Sequence, residues 1–184
     1  MRISFHTPIL ATLLTSIALT TLAADARIDA GKSSVIATFR QENVPVEAPF
    51  RRFSGAIVYD AKNPAAATAA LEIETGSLDL GDEEYSAEVR KKGWFDSATY
   101  PKATFRSTTI KPGAAGQFEA TGALTIKGRT VTLTVPVKVS SAGATHVFDG
   151  ALIISRKAFG IGEPIWDEVV DDKVSVRFRL VTPG

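Results

Sequence analysis

The chain has 184 residues, a length that suits one domain, with 22% charged and 45% hydrophobic residues and no cysteine. No disulfide can staple it and no lipid can be attached through a thiol, so the fold must rest on its own apolar core. The formal charge is +1, and loss of Arg2 with a leader leaves 20 basic and 20 acidic residues, which gives no basic excess for nucleic acid.

Met1-Arg2 is a short basic start, and Pro8 to Leu22 is an uncharged apolar run with threonines. Small residues follow, with Ala23, Ala24 and Ala26 flanking Asp25. This is the pattern of a secretory signal peptide, residues 1–23, cleaved after Ala23 or Ala26. It is too short for a membrane span of roughly 20 apolar residues. Residues 24–184 then form a single domain.

That domain reads as strands. In "VTLTVPVKV", Val131 to Val139, the valines and Leu133 face one way while Thr132, Thr134, Pro136 and Lys138 face the other. Such alternation marks a half-buried strand, and Pro136 marks an edge, bulge or bend. Similar segments run over Ser33–Gln41, Arg52–Asp60, Thr68–Ser77, Lys102–Lys111, Gln117–Lys127, Thr130–Ser140, Thr145–Ser155 and Lys173–Thr182. Tight turns at "PGAAG", "KGR" and "SAG" make successive strands antiparallel. Eight such strands predict an all-β, eight-stranded, antiparallel up-and-down barrel with one short helix. A two-sheet sandwich is the alternative. The helix is "GDEEYSAEVRKK", Gly81 to Lys92, with acids first and bases last, a Glu88–Lys92 pair, and Gly93 as its stop.

The inward positions mix large and small residues. They are Val35, Ala37 and Phe39; Phe53, Gly55, Ile57 and Tyr59; Phe118, Ala120, Gly122, Leu124 and Ile126; and Val147, Asp149, Ala151 and Ile153. Small residues either fit the taper of a filled barrel or leave an apolar cavity, and an eight-stranded barrel is near the size where both occur. Trp94, Phe95 and Tyr100 follow the helix, and Phe159, Ile161, Ile165 and Trp166 sit in a later connection. Aromatic side chains in connections need an apolar surface to cover. The open end of a barrel offers one, to a movable lid or a static plug.

Catalytic chemistry is poorly supplied. His146 is the one histidine after the leader and reads as a surface strand residue. Without cysteine and with one histidine, thiol and Ser-His nucleophiles lack parts. Zinc and copper sites lack their usual ligands. Asp167, Glu168, Asp171 and Asp172 do not have calcium-loop spacing and read as a solvated loop. "GIG", Gly160 to Gly162, is not a nucleotide fingerprint. No cofactor, no metal and no catalytic residue is expected.

"WFDSATYPKATF", "GALTIKGRTVTLTVPV", "SRKAFGIG" and "NPAAATAALEIETGSLD" together resemble the YceI-like family of bacterial polyisoprenoid-binding proteins. The resemblance spans essentially the whole chain after the leader. It implies a lipocalin-like barrel with a long apolar internal cavity, a periplasmic or secreted location, and binding of a polyisoprenoid, an isoprenoid quinone or another amphipathic lipid. One departure is "RQENVPVEAPFRRF", where many relatives carry a His-Leu pair. Arg40, Arg51 and Arg52 are the head-group candidates there, against a reading as ordinary exposed arginines.

The expected ligand tail lies among Phe39, Phe53, Ile57, Leu71, Ile73, Phe105, Phe118, Leu124, Ile126 and Phe178. Trp94, Phe95, Phe159 and Trp166 are expected to close the mouth. The main reading is a carrier or store for a long-chain isoprenoid or other amphipathic lipid. The alternatives are an envelope interaction module with a filled core, and a lipid-modifying enzyme with Asp149 as its acid or base. Nucleic acid is not an expected partner, while transient membrane contact and a homodimer are open.

Overall fold

The structure, a computed structural model, describes residues 26–141 and 143–184; the expected leader lies outside the described residues. The strands are β1 Ser34–Gln41, β2 Val44–Pro49, β3 Phe53–Val58, β4 Thr68–Glu74, β5 Lys102–Pro112, β6 Gln117–Ile126, β7 Arg129–Ser141, β8 Thr145–Ser155 and β9 Lys173–Pro183. One helix, α1 Glu83–Val89, lies between β4 and β5. The strands form one antiparallel sheet in the order β2-β1-β9-β8-β7-β6-β5-β4-β3, curled into a barrel.

Nine strands stand where eight were expected. The added one is β2, "VPVEAP", whose two prolines argue against a strand in the interior of a sheet. It is tolerated because β2 is an edge strand, paired only with β1. Glu42 and Asn43, with φ of 49° and 67°, make the two-residue turn between them, the twist that a right-handed hairpin needs.

The seam closes by a change of partner. β1 and β4 run the same way, so β2 and β3, each antiparallel to one of them, continue in one direction. Three residues, Phe50 to Arg52, carry the chain across. Phe50 bridges Leu78, and the Asp79 N–H donates to the Pro49 carbonyl at 3.0 Å. Lower down, the segment after Ala26 fills the gap between β3 and β9. Ile28 N–H donates to the Gly55 carbonyl at 3.0 Å and Asp29 N–H to the Val181 carbonyl at 2.8 Å. The β3 edge and the end of β2 thereby find partners for backbone groups that would otherwise invite another chain.

Pro136 marks a break. β7 pairs with β8 only from Val137–Gly150 to Ser141–His146, and the ladder stops where proline has no N–H to give. The 3₁₀ turn Lys157–Phe159 lies against both strands beyond the break.

The helix is shorter than the charge pattern suggests. Asp82 is its cap rather than part of its first turn, accepting from Glu84 N–H at 2.8 Å and Tyr85 N–H at 3.2 Å. It ends at Val89, four residues before Gly93. Glu88 pairs with Lys91 rather than Lys92, and Arg90 reaches back to Glu83 at 2.9 Å.

The inward faces of β1 and β6 are as read, and along β3 and just past it Ile57 and Tyr59 face inward while Phe53 does not reach the cavity. That of β8 is reversed: Phe148, Leu152 and Ile154 point inward, while Ile153 is 71% exposed. Asp149 belongs to the outer face and pairs with Arg179 at 3.0 Å, so it is no buried acid. His146, on the inward set, is half-buried rather than a surface residue. Its ring packs edge-on against Tyr59 with centroids 5.0 Å apart, and its Nδ1 is 3.0 Å from the Ser141 hydroxyl.

Inward glycines make room for rings. A Cβ on Gly122 would lie 2.6 Å from Phe105 Cζ, and one on Gly150 would lie 2.3 Å from Phe178 Cζ. Each ring lies over the glycine of a neighbouring strand, so these positions are filled, not hollow. Gly150→Ala is therefore expected to destabilise by about 1–3 kcal/mol through overpacking. Gly31→Ala, whose nearest atom is 3.4 Å away, is the control and should stay within about 0.5 kcal/mol. Urea unfolding of the two variants checks both; equal midpoints would show that the ring contact does not constrain position 150.

Candidate functional site: an apolar cavity with a locked aromatic end

The curled sheet encloses a cavity of about 560 Å³. Such a volume lies in the range of ligand pockets, roughly 300–1,000 Å³. Alternation builds it, because every strand offers one face to the interior. Ala37, Ala69, Ala103 and Ala120 hold its walls back, where larger side chains would fill it. Toward the far end Tyr59, Phe118 and Phe148 line the cavity with His146 beside them, and their rings meet edge-on around Tyr59 at 5.0 to 5.9 Å. At the helix end the lining includes the exposed residues Gln41 and Tyr85, so the cavity reaches the surface between the β1–β2 hairpin and α1.

The structure brings most of the expected residues to this cavity. Phe39, Ile57, Leu71, Ile73, Phe105, Phe118, Leu124, Ile126 and Phe178 line its body, and Trp94, Phe95 and Trp166 its helix end. Two do not line it. Phe53 packs on the cluster of Ile28, Val35 and Ile57 and faces a separate shallow depression beside Arg52, Glu74 and Lys102. Phe159, only 2% exposed, lies behind the wall against Ala103, Ile126 and Ile161.

The aromatic connections form one unit. Trp94 and Trp166 lie with centroids 5.9 Å apart, and Phe95 meets Phe50 edge-on at 6.2 Å. Gly162 N–H donates to the Gly93 carbonyl at 2.9 Å, tying the two segments together. The Thr75 hydroxyl donates to the Tyr100 carbonyl at 2.8 Å and holds the end of the first.

The charged candidates are elsewhere. Arg40 donates to the Asn43 carbonyl in its own hairpin, Arg51 pairs with Asp79 and Arg52 with Glu74, all outside the cavity. The arginine that does line it is Arg156, which the periodic reading missed. Its guanidinium is buried and crosslinks three segments. Nε donates to the Asp171 carbonyl, Nη1 to that of Ile161, and Nη2 to that of Val170 and to Asp167 Oδ1, all at 2.8 to 3.1 Å. The signal available in sequence was a cation in "IISRKAFGIG" with apolar residues on both sides, where burial needs partners.

The acidic loop is solvated as read, with Asp167, Glu168 and Asp171 exposed, but two of its carboxylates also clamp it: Asp167 on Arg156 and Lys157, and Asp172 on the Ser155 hydroxyl and the Lys157 N–H. Asp167 lies below its ordinary value of 3.8, chiefly through the Lys157 side chain; burial opposes this and Arg156 adds to it. Burial pushes Asp172 up, but the Ser155 hydroxyl and the Lys157 N–H outweigh that and leave it lowered. Carboxyls lowered in the folded state stabilise it fully above pH 3.8, and the contribution is lost as pH falls through their lower folded values. We predict that acid releases this loop and shifts the emission of Trp94 and Trp166, the two tryptophans, below pH 3.8. Asp167→Asn should already show the shifted emission at neutral pH. A fluorescence titration checks this; emission that stays constant until the whole sheet melts would contradict it.

The YceI-like domain model matches residues 27–182. The protein YceI of Escherichia coli O157:H7 is 32% identical over 125 residues, covering 66% of this chain. A Vibrio cholerae UPF0312 protein is 30% identical over 122 residues, covering 63%. The matched part spans 65% of each of these relatives' own length. Among solved structures, Burkholderia cenocepacia BcnA superposes with a TM-score of 0.81 at 44% identity, over 84% of this chain and 98% of that one. A polyisoprenoid-binding domain from Saccharophagus degradans, implicated in plant cell wall breakdown, superposes with a TM-score of 0.70 at 19% identity. That match covers 87% of this chain and 99% of the other, a likeness of fold. The described barrel and the match over nearly all of it place this chain in the YceI-like family.

Proposed function

We propose that this protein binds the apolar tail of an amphipathic lipid, a polyisoprenoid or isoprenoid quinone, inside the barrel, as a carrier or store rather than an enzyme. The observation that carries the reading is the cavity itself, about 560 Å³ with a wall of aliphatic and aromatic side chains. A cavity of about 150 Å³ holds one six-carbon ring, so this volume scales to a chain on the order of 20 carbons. An apolar chain inside it is favoured by removal of apolar surface from water, about 25 cal/mol per Å² buried before the costs of association.

Family membership and the polyisoprenoid-binding domain of similar fold support the ligand class. Export by the leader to the periplasm, a contact with the membrane that supplies the lipid, and a single functional domain after residue 23 belong to the same proposal. Against the enzyme reading, Asp149 sits outside the barrel in an ion pair. Among the described residues no cluster of His, Cys, Asp or Glu is placed to hold a metal ion.

The test is to block the wall. Leu124→Gln places an amide in the apolar lining. Its burial without partners costs about 1–3 kcal/mol, so affinity for a fluorescent polyene lipid should fall roughly tenfold or more. A folded Leu124→Gln variant with unchanged uptake would remove the cavity as the binding site.

A further inference from the structure

We propose that the helix end of the cavity is a head-group subsite. It selects lipids whose polar end presents oxygen acceptors, carbonyl or carboxylate, and Arg156 is its recognition residue. The inference rests on the lipid-binding reading above and adds the chemistry of the polar end.

Arg156 is 2% exposed and, among the described residues, is the only cationic side chain in the cavity lining. A guanidinium has five N–H donors. Nε uses one, Nη1 one and Nη2 two, on the carbonyls of Asp171, Ile161 and Val170 and on Asp167. The second N–H of Nη1 has no partner among the described residues. A donor left over on a buried cation is costly and favours an incoming acceptor, more so than on a neutral group.

Its position is defined by Gly162. The point where a Cβ would stand on that residue is 2.4 Å from Nη1 and 3.3 Å from Trp94 Cζ3. The nitrogen with the spare N–H therefore stands beside Trp94, which lines the cavity together with Trp166.

The charges nearby do not oppose this. Arg156 pairs with Asp167, while Lys157 has both Asp167 at 2.8 Å and Asp172, which accepts its backbone N–H. Glu88, the only carboxylate in the lining among the described residues, belongs to the mouth on α1 and is held by Lys91. An acceptor head group meets the spare N–H, whereas an ammonium meets a buried cation.

The test holds the tail constant and varies the head. Geranylgeranic acid, geranylgeranial, geranylgeranylamine and the parent hydrocarbon compete with a fluorescent polyene on the whole wild-type protein. The acid and the aldehyde should both bind about tenfold or more tighter than the amine. The stronger of the two tells whether the site takes charge or a neutral carbonyl. An amine that equals or exceeds them overturns the subsite. If the hydrocarbon and all the others fail to bind, the lipid-binding reading itself fails, a separate outcome. In Arg156→Lys the preference for acid and aldehyde over amine should shrink while hydrocarbon binding persists. An undiminished preference in the folded variant overturns the role of Arg156, and the wild-type series decides should that variant not fold.

Discussion

A single sheet can enclose a cavity only if its two edges find hydrogen-bond partners, and this barrel depends on how that is done. The edges are not zipped to each other along their length. Instead the chain from Val44 to Val58 leaves β1 and joins β4, switching at Phe50 to Arg52, and the segment after Ala26 fills the gap between β3 and β9. Closure by a partner switch leaves the interior wide. The side chains at the switch, Phe50 and Leu78, are the same ones that meet the helix end of the cavity.

The two ends of the barrel are built by different physics. The far end uses edge-to-face aromatic packing around Tyr59, with one His146 ring nitrogen beside the Ser141 hydroxyl. The helix end uses charge. A buried Arg156 gathers carbonyls from Ile161, Val170 and Asp171, and Asp167 supplies the opposite charge. Replacing one member of such a network leaves others buried without partners, which costs more than the net worth of any single bond. Gly162, with φ of 85° and no room for a Cβ, is part of the same arrangement. The aromatic cover over the cavity is thus held by polar contacts beneath it.

Period-two alternation made most strands readable, because a half-buried strand writes its environment into every second residue. β7 is the clear case, and Pro136 was correctly suspect. Where alternation is weak the reading failed. In β8 both faces carry apolar residues, Val147, Ala151 and Ile153 against Phe148, Leu152 and Ile154, so the face could be assigned either way. The charge of Asp149 was the clue to the right one. β2 hid behind two prolines that only an edge strand tolerates. The cavity wall was legible as a list of large apolar residues, yet the inward glycines meant the opposite of empty space, since Phe105 and Phe178 lie over them. Arg156 was illegible in principle from periodicity. Its burial comes from partners 5 to 15 residues away in a connection, brought back by the fold.

The central claim is that the cavity holds a lipid tail, and native mass spectrometry tests it most directly. The full chain would be expressed in the organism it comes from, weighed intact, and then extracted with solvent. A stoichiometric added mass that extracts as a polyprenyl lipid is the predicted result. A bare protein mass that also fails to increase on addition of polyprenyl lipids would contradict the account and leave the barrel as a surface for another protein.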